Sequence, residues 1–133
     1  MIERIRYFRE FGESFAFETT CSGRTHLHWL RQSQMEGWRI TLLYLWLPTP
    51  EDALERVATR VAGGGHGVAP EIVVRRYWAG LKNLRRFYLP LADIAAIYDN
   101  SDKGRVSIAE KTPESGLILR DPVRWAAVQG ARP

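Results

Sequence analysis

The sequence predicts an α/β fold, because two apolar, strand-like runs lie on either side of a helix-like run. Residues 15–19 are aromatic and β-prone, and residues 40–47 are almost continuously apolar until Pro48. The second pattern is typical of a strand that is covered on both faces. Residues 25–36 lie between the two runs with helical spacing, and Gly37 ends that run. We therefore expect a βαβ unit with parallel strands.

Two further helices are predicted in the first half of the chain. Residues 2–12 carry apolar side chains at helical intervals among charged ones, and Gly12 ends this amphipathic run. A helix start is predicted at Thr49, because Pro50 and two acidic residues follow it and all these residue types are typical of the first turn of a helix. The helix that starts near Thr49 is expected to end at a glycine-rich loop, residues 63–67, because the four glycines of this loop restrain the backbone poorly.

A longer helix begins at Pro70 and is interrupted near Pro90. Its apolar residues follow one another at intervals of three or four positions, which predicts one buried stripe. These residues are Val73, Tyr77, Leu81, Leu84 and Tyr88.

The C-terminal third is predicted to be mainly strands. Residues 94–98 and 105–109 are expected to form a hairpin around a turn at residues 99–104, and residues 117–119 form a further strand. A short helix is predicted at residues 123–129. The whole chain, residues 1–133, has the length and apolar content of a single globular domain.

Cysteine, histidine and hydropathy exclude several classes of protein. The single cysteine, Cys21, excludes an internal disulfide and is typical of a reducing compartment. His26 and His28 would point to different sides of a helix, so no metal site is predicted. No run is long and apolar enough to span a membrane, and the first residues are too charged for a signal peptide. We therefore expect a cytoplasmic protein.

The net charge of +4 comes from arginine more than lysine. Arginine suits planar, bidentate contacts to phosphate or carboxylate, so the composition favours phosphorylated or acidic partners. An arginine-rich composition that reflects only a GC-rich genome is the alternative.

Polar side chains follow the first predicted strand. Glu18, Thr20 and Arg24 come at its carboxyl end, where ligands bind in open parallel sheets. The alternative interpretation is that Glu18 and Thr20 only cap the turn and the next helix.

A second candidate site combines arginines with the glycine-rich loop. Arg60 precedes this loop, His66 lies in it, and Arg75 and Arg76 follow it. A mobile loop flanked by arginines can close over an anionic ligand and place guanidinium groups against phosphoryl oxygens. The alternative is that these arginines are ordinary solvated surface residues.

Several motifs follow one another in a fixed order between residues 8 and 109. They are Glu18-Thr19-Thr20-x-Ser22-Gly23-Arg24, Leu45-Trp46-Leu47-Pro48-x-Pro50, Arg60-Val61-x-x-Gly64-Gly65-His66-x-Val68, Arg75-Arg76-Tyr77 and Tyr98-Asp99-Asn100-Ser101. Together these motifs resemble the zeta-toxin-like P-loop kinases of bacteria. The resemblance implies a partial P-loop kinase-like, three-layer αβα fold with a mostly parallel sheet. It also implies ATP-dependent, Mg²⁺-dependent phosphorylation of a small molecule of the UDP-N-acetylglucosamine type.

The resemblance also implies roles for individual residues. Contacts to the sugar nucleotide are implied for Glu18, Thr20 and Arg24. Contacts to ATP are implied for Arg60, Arg75, Arg76 and Asn100. Catalytic roles are implied for Arg24, Arg60 and Arg76.

The front of the family's domain has no counterpart in this sequence. No Gly-x-x-x-x-Gly-Lys-Ser/Thr run occurs, and the glycines at 63–67 follow a helix and precede no lysine. We therefore expect the C-terminal part of a zeta-toxin-like kinase domain, without its first strand and P-loop, that is inactive alone. A homodimer through exposed sheet edges and an antitoxin protein are the candidate macromolecular partners.

The basic helix at residues 75–86 supports a second hypothesis, a non-enzymatic binding module. Trp78 lies among its arginines and Tyr88 follows them, a combination that suits nucleic acid or an acidic partner protein. The kinase resemblance does not imply a nucleic-acid partner.

Overall fold

The computed structural model describes residues 1–101 and 104–133, and it has one mixed β-sheet. The sheet has the strand order β1-β2-β3-β4, with β1 at Thr41–Trp46, β2 at Ile94–Asp99, β3 at Val106–Thr112 and β4 at Gly116–Leu119. Strands β1 and β2 are parallel, whereas β2–β3 and β3–β4 are antiparallel. The fold is therefore α/β with an open sheet.

Helices account for most of the remaining described residues. They are α1 (Ile2–Phe11), α2 (Thr25–Met35), α3 (Pro50–Ala62), α4 (Pro70–Asn83), α5 (Leu89–Leu91) and α6 (Pro122–Gly130). Between α4 and α5 the chain forms one wide turn of π-helix at Leu84–Tyr88, which we call the π turn.

Local signals explain where these helices begin and end. Thr49 and Asp52 form a reciprocal capping box at the start of α3, with Pro50 in the first helical turn. Asp121 caps α6 in a similar way, because its side chain accepts a hydrogen bond from the Arg124 amide. Gly12 ends α1 in the left-handed conformation, with φ of 67°. The predicted helices and the three strands from residue 94 onward are thus confirmed.

The core lies on one face of the sheet. Trp46 and Ile97 of the sheet pack against Leu81 of α4, Leu84 of the π turn and Trp125 of α6. These side chains are almost completely removed from solvent, so burial of their apolar area stabilises the fold.

The opposite face of the sheet is open, which corrects two expectations. Leu43 and Leu45 of β1 alternate with less exposed positions, and 57% and 40% of their surfaces are exposed. All four residues of β4 are exposed as well. The prediction that residues 40–47 form a strand covered on both faces is therefore wrong. Because this face of the sheet is uncovered at these described positions, the expected three-layer αβα arrangement is also absent there.

The predicted strand at residues 15–19 is wrong, and so is the βαβ unit built on it. Residues 13–20 have no regular secondary structure. Phe15 stacks on Phe8 at 5.4 Å and Phe17 lies 5.3 Å from Trp29 between ring centroids, so both rings are covered by helices α1 and α2. The alternating aromatic side chains therefore reflect packing on helices. Among the described strands, only β1 and β2 pair in parallel, so the expected mostly parallel sheet is wrong.

The turn predicted at residues 99–104 is described only in part. Asp102 and Lys103 lie outside the described residues. Strands β2 and β3 on either side of this turn pair in antiparallel fashion, with a register irregularity between Ile97 and Tyr98. The hairpin itself is thus confirmed.

The segment before α2 is attached to α4 and the π turn by residues 20–24, which we call the docking loop. The side-chain amide of Asn83 donates a hydrogen bond to the carbonyl of Cys21 at 2.9 Å. The hydroxyl of Tyr88 donates to the carbonyl of Gly23 at 2.6 Å. Cys21 is 3% exposed and has a φ of 58°, so the chain turns sharply here into a buried position.

Among the described helices, none combines the length with the apolar composition that crossing a bilayer requires.

Substituting Gly80→Ala tests the close packing of the docking loop on α4. A Cβ atom at Gly80 would lie 2.5 Å from the carbonyl oxygen of Thr20, which is backbone and yields little. Alanine in a helix normally stabilises relative to glycine by about 1 kcal/mol. Here we expect the free energy of unfolding in urea to fall by about 1–3 kcal/mol, because overpacking dominates.

The matched control is Gly130→Ala in α6, where a Cβ atom would meet nothing within 4 Å. We expect no loss of stability for this variant. Equal stabilisation by both substitutions would contradict the close approach of Thr20 to α4.

Candidate functional site

A groove of about 270 Å³ opens beyond the carboxyl ends of β1 and β2, and we call it the carboxyl-end groove. Its lining residues are Leu47, Asp52, Glu55, Arg56, Thr59 and Ser101. Leu47 follows β1, Ser101 follows β2, and the others lie on one face of α3 at intervals of three or four residues. Ligands in open α/β sheets bind beyond the carboxyl ends of parallel strands, so the groove is a candidate binding site.

The groove holds charges of both signs. The Asp52 carboxylate accepts hydrogen bonds from the amide and hydroxyl of Thr49, at 3.0 and 2.8 Å. The Arg56 guanidinium donates a hydrogen bond to the carbonyl of Asn100. Glu55 is exposed on the same face of α3. The two carboxylates can accept hydrogen bonds from a polar ligand, and the guanidinium can donate them. Because the charges have both signs, the groove does not have a strongly positive or strongly negative potential.

A buried carboxylate fixes the β2 side of the groove. Asp99 is 3% exposed, and its two oxygens accept hydrogen bonds from the Arg124 guanidinium at 2.8 Å and the Ser101 amide at 2.9 Å. Burial by itself raises the pKa of Asp99, but the hydrogen bonds from Ser101 and Arg124 outweigh it and leave the pKa below its ordinary value. Because Arg124 lies in α6, its pair with Asp99 attaches α6 to the end of β2. Arg124 also pairs with Asp121, the N-cap of its own helix, at 2.6 Å.

Tyr77 connects α4 to the β1 side of the groove. Its hydroxyl donates a hydrogen bond to the carbonyl of Leu47 at 2.8 Å. Burial, together with a smaller effect of the nearby Asp52 and Glu51 carboxylates, raises the pKa of Tyr77 to about 12. The phenol is therefore protonated at neutral pH and remains a hydrogen-bond donor.

The first set of predicted site residues lies in and next to the docking loop. Glu18, Thr20 and Arg24 are all exposed. The Thr20 hydroxyl is 2.7 Å from that of Ser22, and Arg24 occupies the N-cap position of α2 without a side-chain capping bond. Thr20 therefore takes part in a local turn and does not cap α2.

The second set of predicted residues lies on α3, on α4 and after β2. Arg60 is exposed in the last turn of α3, where its side chain lies against Gly65. Arg75 and Arg76 are exposed in the first half of α4. Asn100 is half-buried and contacts α3 through Arg56.

Some of these residues are brought together and others are not. Asn100 lies beside α3, one helical turn from Arg60, because Arg56 bonds its carbonyl. Thr20 lies against Gly80, one turn beyond Arg76 on α4. Helices α3 and α4 pack against each other, so Arg60 and Arg76 lie on neighbouring helices. His66 is exposed in the loop between these helices.

Sequence reasoning missed Asp99 and Arg124 as a structural pair. A local signal existed, since an aspartate at the end of an apolar strand often closes a turn through its own carboxylate. The distance of 25 positions between Asp99 and Arg124 carries no such signal. Within residues 1–101 and 104–133, no group of three or more His, Cys, Asp and Glu side chains is arranged to hold a metal ion.

Comparisons with known proteins give one partial match. No protein-family model matches the chain, and no solved structure matches it. A protein of Haemophilus influenzae (strain ATCC 51907 / DSM 11121 / KW20 / Rd), described as an uncharacterized protein, is 33% identical over 63 residues. The alignment covers 47% of this chain and 45% of that protein, so the chain spans less than half of the relative's length.

The lowered pKa of Asp99 predicts a pH-dependent contribution to stability. The ionised carboxylate stabilises the folded chain above about pH 4, and this contribution is lost as pH falls toward the lowered pKa. Substituting Asp99→Asn should lower the free energy of unfolding at pH 7 by about 1–3 kcal/mol. The difference between the natural chain and the variant should shrink as pH falls from 7 to 3 in urea-denaturation series.

Glu114→Gln is the control, because Glu114 is exposed in the turn before β4. Its effect should be small at every pH. A difference between Asp99→Asn and the natural chain that stays constant down to pH 3 would contradict the ion pair.

Proposed function

We propose that this chain is the acceptor-binding and lid part of a zeta-toxin-like, ATP-dependent small-molecule kinase with a P-loop kinase-like fold. The acceptor would be a sugar nucleotide of the UDP-N-acetylglucosamine type. Support comes from the order of the motifs along the sequence. The observation that carries the proposal is the contact between Thr20 and Gly80, because it joins the acceptor loop to the helix of Arg75 and Arg76.

Acceptor binding is assigned to the exposed groups before α2. The Glu18 carboxylate accepts hydrogen bonds from sugar hydroxyls, and the Thr20 hydroxyl both donates and accepts. Arg24 adds a guanidinium that suits a phosphate group. The hydrogen bonds from Asn83 and Tyr88 to the docking loop support this assignment, since they hold the acceptor-binding segment in a fixed position relative to α4.

The lid is assigned to the last turn of α3, to the first half of α4 and to the loop between these helices. Arg60 lies in the last turn of α3, Arg75 and Arg76 lie in the first half of α4, and all three are exposed. Gly64 has a φ of 91°, a conformation that favours glycine. In this proposal the loop moves as a hinge and brings the guanidinium groups to the phosphates of ATP.

The residues present fit ATP only at the lid and do not fit Mg²⁺. The sequence holds no Gly-x-x-x-x-Gly-Lys-Ser/Thr run to cradle the β- and γ-phosphates. The described residues offer no cluster of three metal-ligating side chains either. We therefore assign no transfer step to this chain, and we propose that a separate segment supplies the phosphate-binding loop of the active kinase.

A second candidate function is a non-enzymatic binding module for nucleic acid or an acidic protein. Arg75, Arg76, Lys82 and Arg86 are exposed along the helical segment 75–86, which favours this candidate. The burial of Tyr88 argues against this candidate. Tyr88 is 5% exposed and its hydroxyl donates a hydrogen bond to Gly23, so its ring offers no surface for base stacking. We therefore rank the kinase part first.

Calorimetric titration of the purified chain with UDP-N-acetylglucosamine tests the proposal. We expect saturable binding that weakens at least about tenfold in Glu18→Ala, because hydrogen bonds to a charged group contribute about 1.5–3 kcal/mol. Glu10→Ala in α1 is the matched control, an exposed glutamate outside the proposed site, and should bind like the natural chain.

Absence of saturable binding, or equal binding by Glu18→Ala, would refute the acceptor site. Binding of a DNA oligonucleotide that falls steeply with salt would favour the second candidate. ATP-dependent phosphorylation of the sugar nucleotide by the chain alone would contradict the need for a separate phosphate-binding segment.

A further inference from the structure

Two arginines from separate parts of the chain lie over the same aromatic ring. The guanidinium carbon of Arg24 is 5.1 Å from the centroid of the Phe87 ring, and that of Arg86 is 5.7 Å from it. Among the described residues, neither guanidinium forms an ion pair with a carboxylate. Both arginines are exposed, so a ligand from solvent can reach them.

The π turn brings Arg86 and Phe87 to the docking loop. A π turn is rare, and such turns occur frequently at functional sites. Pro90 has no amide hydrogen, so a regular α-helix cannot continue through this region with all its hydrogen bonds. The widened turn directs Tyr88 to the carbonyl of Gly23, next to Arg24.

The charges of this cluster favour an anion. Each guanidinium lies on the ring by a cation–π contact, which leaves its N–H groups directed to other partners. Two positive groups beside one ring repel each other unless an anion lies between them. Lys82, one turn before Arg86 and also exposed, adds a third positive charge on this side of the chain.

We propose that Arg24, Phe87 and Arg86 form a binding site for a diphosphate group. Each guanidinium suits bidentate hydrogen bonding to one phosphate. The distances of 5.1 and 5.7 Å to the shared ring centroid limit the separation of the two guanidinium carbons to at most about 11 Å, a span that contacts to two linked phosphates can bridge. Arg24 is common to the proposed acceptor site, so the inference deepens the proposed function there. Arg86 and Phe87 are new site residues.

Calorimetric titration of the purified chain with inorganic pyrophosphate is the direct test. We expect saturable binding that weakens at least about tenfold in Arg86→Gln, because one charged donor group is lost. Arg31→Gln in α2 is the matched control, an exposed arginine outside the cluster, and should bind like the natural chain. Thermal unfolding of both variants shows whether the fold is retained.

Phe87→Leu separates the role of the ring from that of charge. Leucine keeps the apolar bulk of the half-buried side chain but removes the aromatic surface under both guanidinium groups. We expect weaker pyrophosphate binding with little change in melting temperature. No binding of pyrophosphate, or equal binding by the natural chain and Arg86→Gln, would overturn the proposal.

Further ligands distinguish the sources of the diphosphate. Binding of pyrophosphate without binding of UDP-N-acetylglucosamine supports this site and contradicts the proposed function. Binding of UDP-N-acetylglucosamine that is insensitive to Arg86→Gln supports the proposed function and overturns this site. Binding of a single-stranded oligonucleotide in preference to pyrophosphate, lost in Arg86→Gln, assigns the cluster to nucleic acid and also overturns the proposal.

Discussion

Two hydrogen bonds, from Asn83 to Cys21 and from Tyr88 to Gly23, hold the N-terminal segment against the rest of the molecule. Residues 13–20 have no helix or strand, so no regular hydrogen-bonding pattern fixes their course. The donors Asn83 and Tyr88 are each 5% exposed, and a buried donor without its acceptor is destabilising. The position of every proposed acceptor-binding residue depends on this attachment.

Helix α4 and the π turn connect the candidate sites. Tyr77 reaches the end of β1 at the carboxyl-end groove, while Asn83 and Tyr88 reach the docking loop. The same continuous helical segment carries Arg75 and Arg76 in its first half and Arg86 near its end. A shift of this segment would therefore move the arginines of the proposed lid, the Tyr77 contact to the groove and the proposed diphosphate site together, which would be a physical basis for coupling between them.

Local signals in the sequence predicted most of the elements, because caps and helical periodicity act over a few residues. Thr49 with Pro50 and Asp52 predicted the start of α3, and the stripe from Val73 to Tyr88 predicted the buried face of α4 and the π turn. The strand at residues 15–19 failed because Phe15 and Phe17 alternate for a different reason, namely packing against helices α1 and α2. The pairing of Asp99 with Arg124 could not be predicted, since it depends on how α6 returns to the end of β2. The contact of Arg24 and Arg86 with one aromatic ring could not be predicted either, because it also depends on the tertiary structure.

The reactivity of Cys21 reports most directly on whether the docking loop is attached. Cys21 is buried, and burial raises its pKa to about 11, so the native thiol is almost entirely protonated at pH 8. The decisive measurement is the rate of alkylation by iodoacetamide at pH 8 for the native chain and for the chain unfolded in urea. Labelling of the native chain should be roughly a hundredfold or more slower, and Asn83→Ala should speed it. Equal rates for the native and unfolded chains would contradict the attachment on which the proposed sites depend.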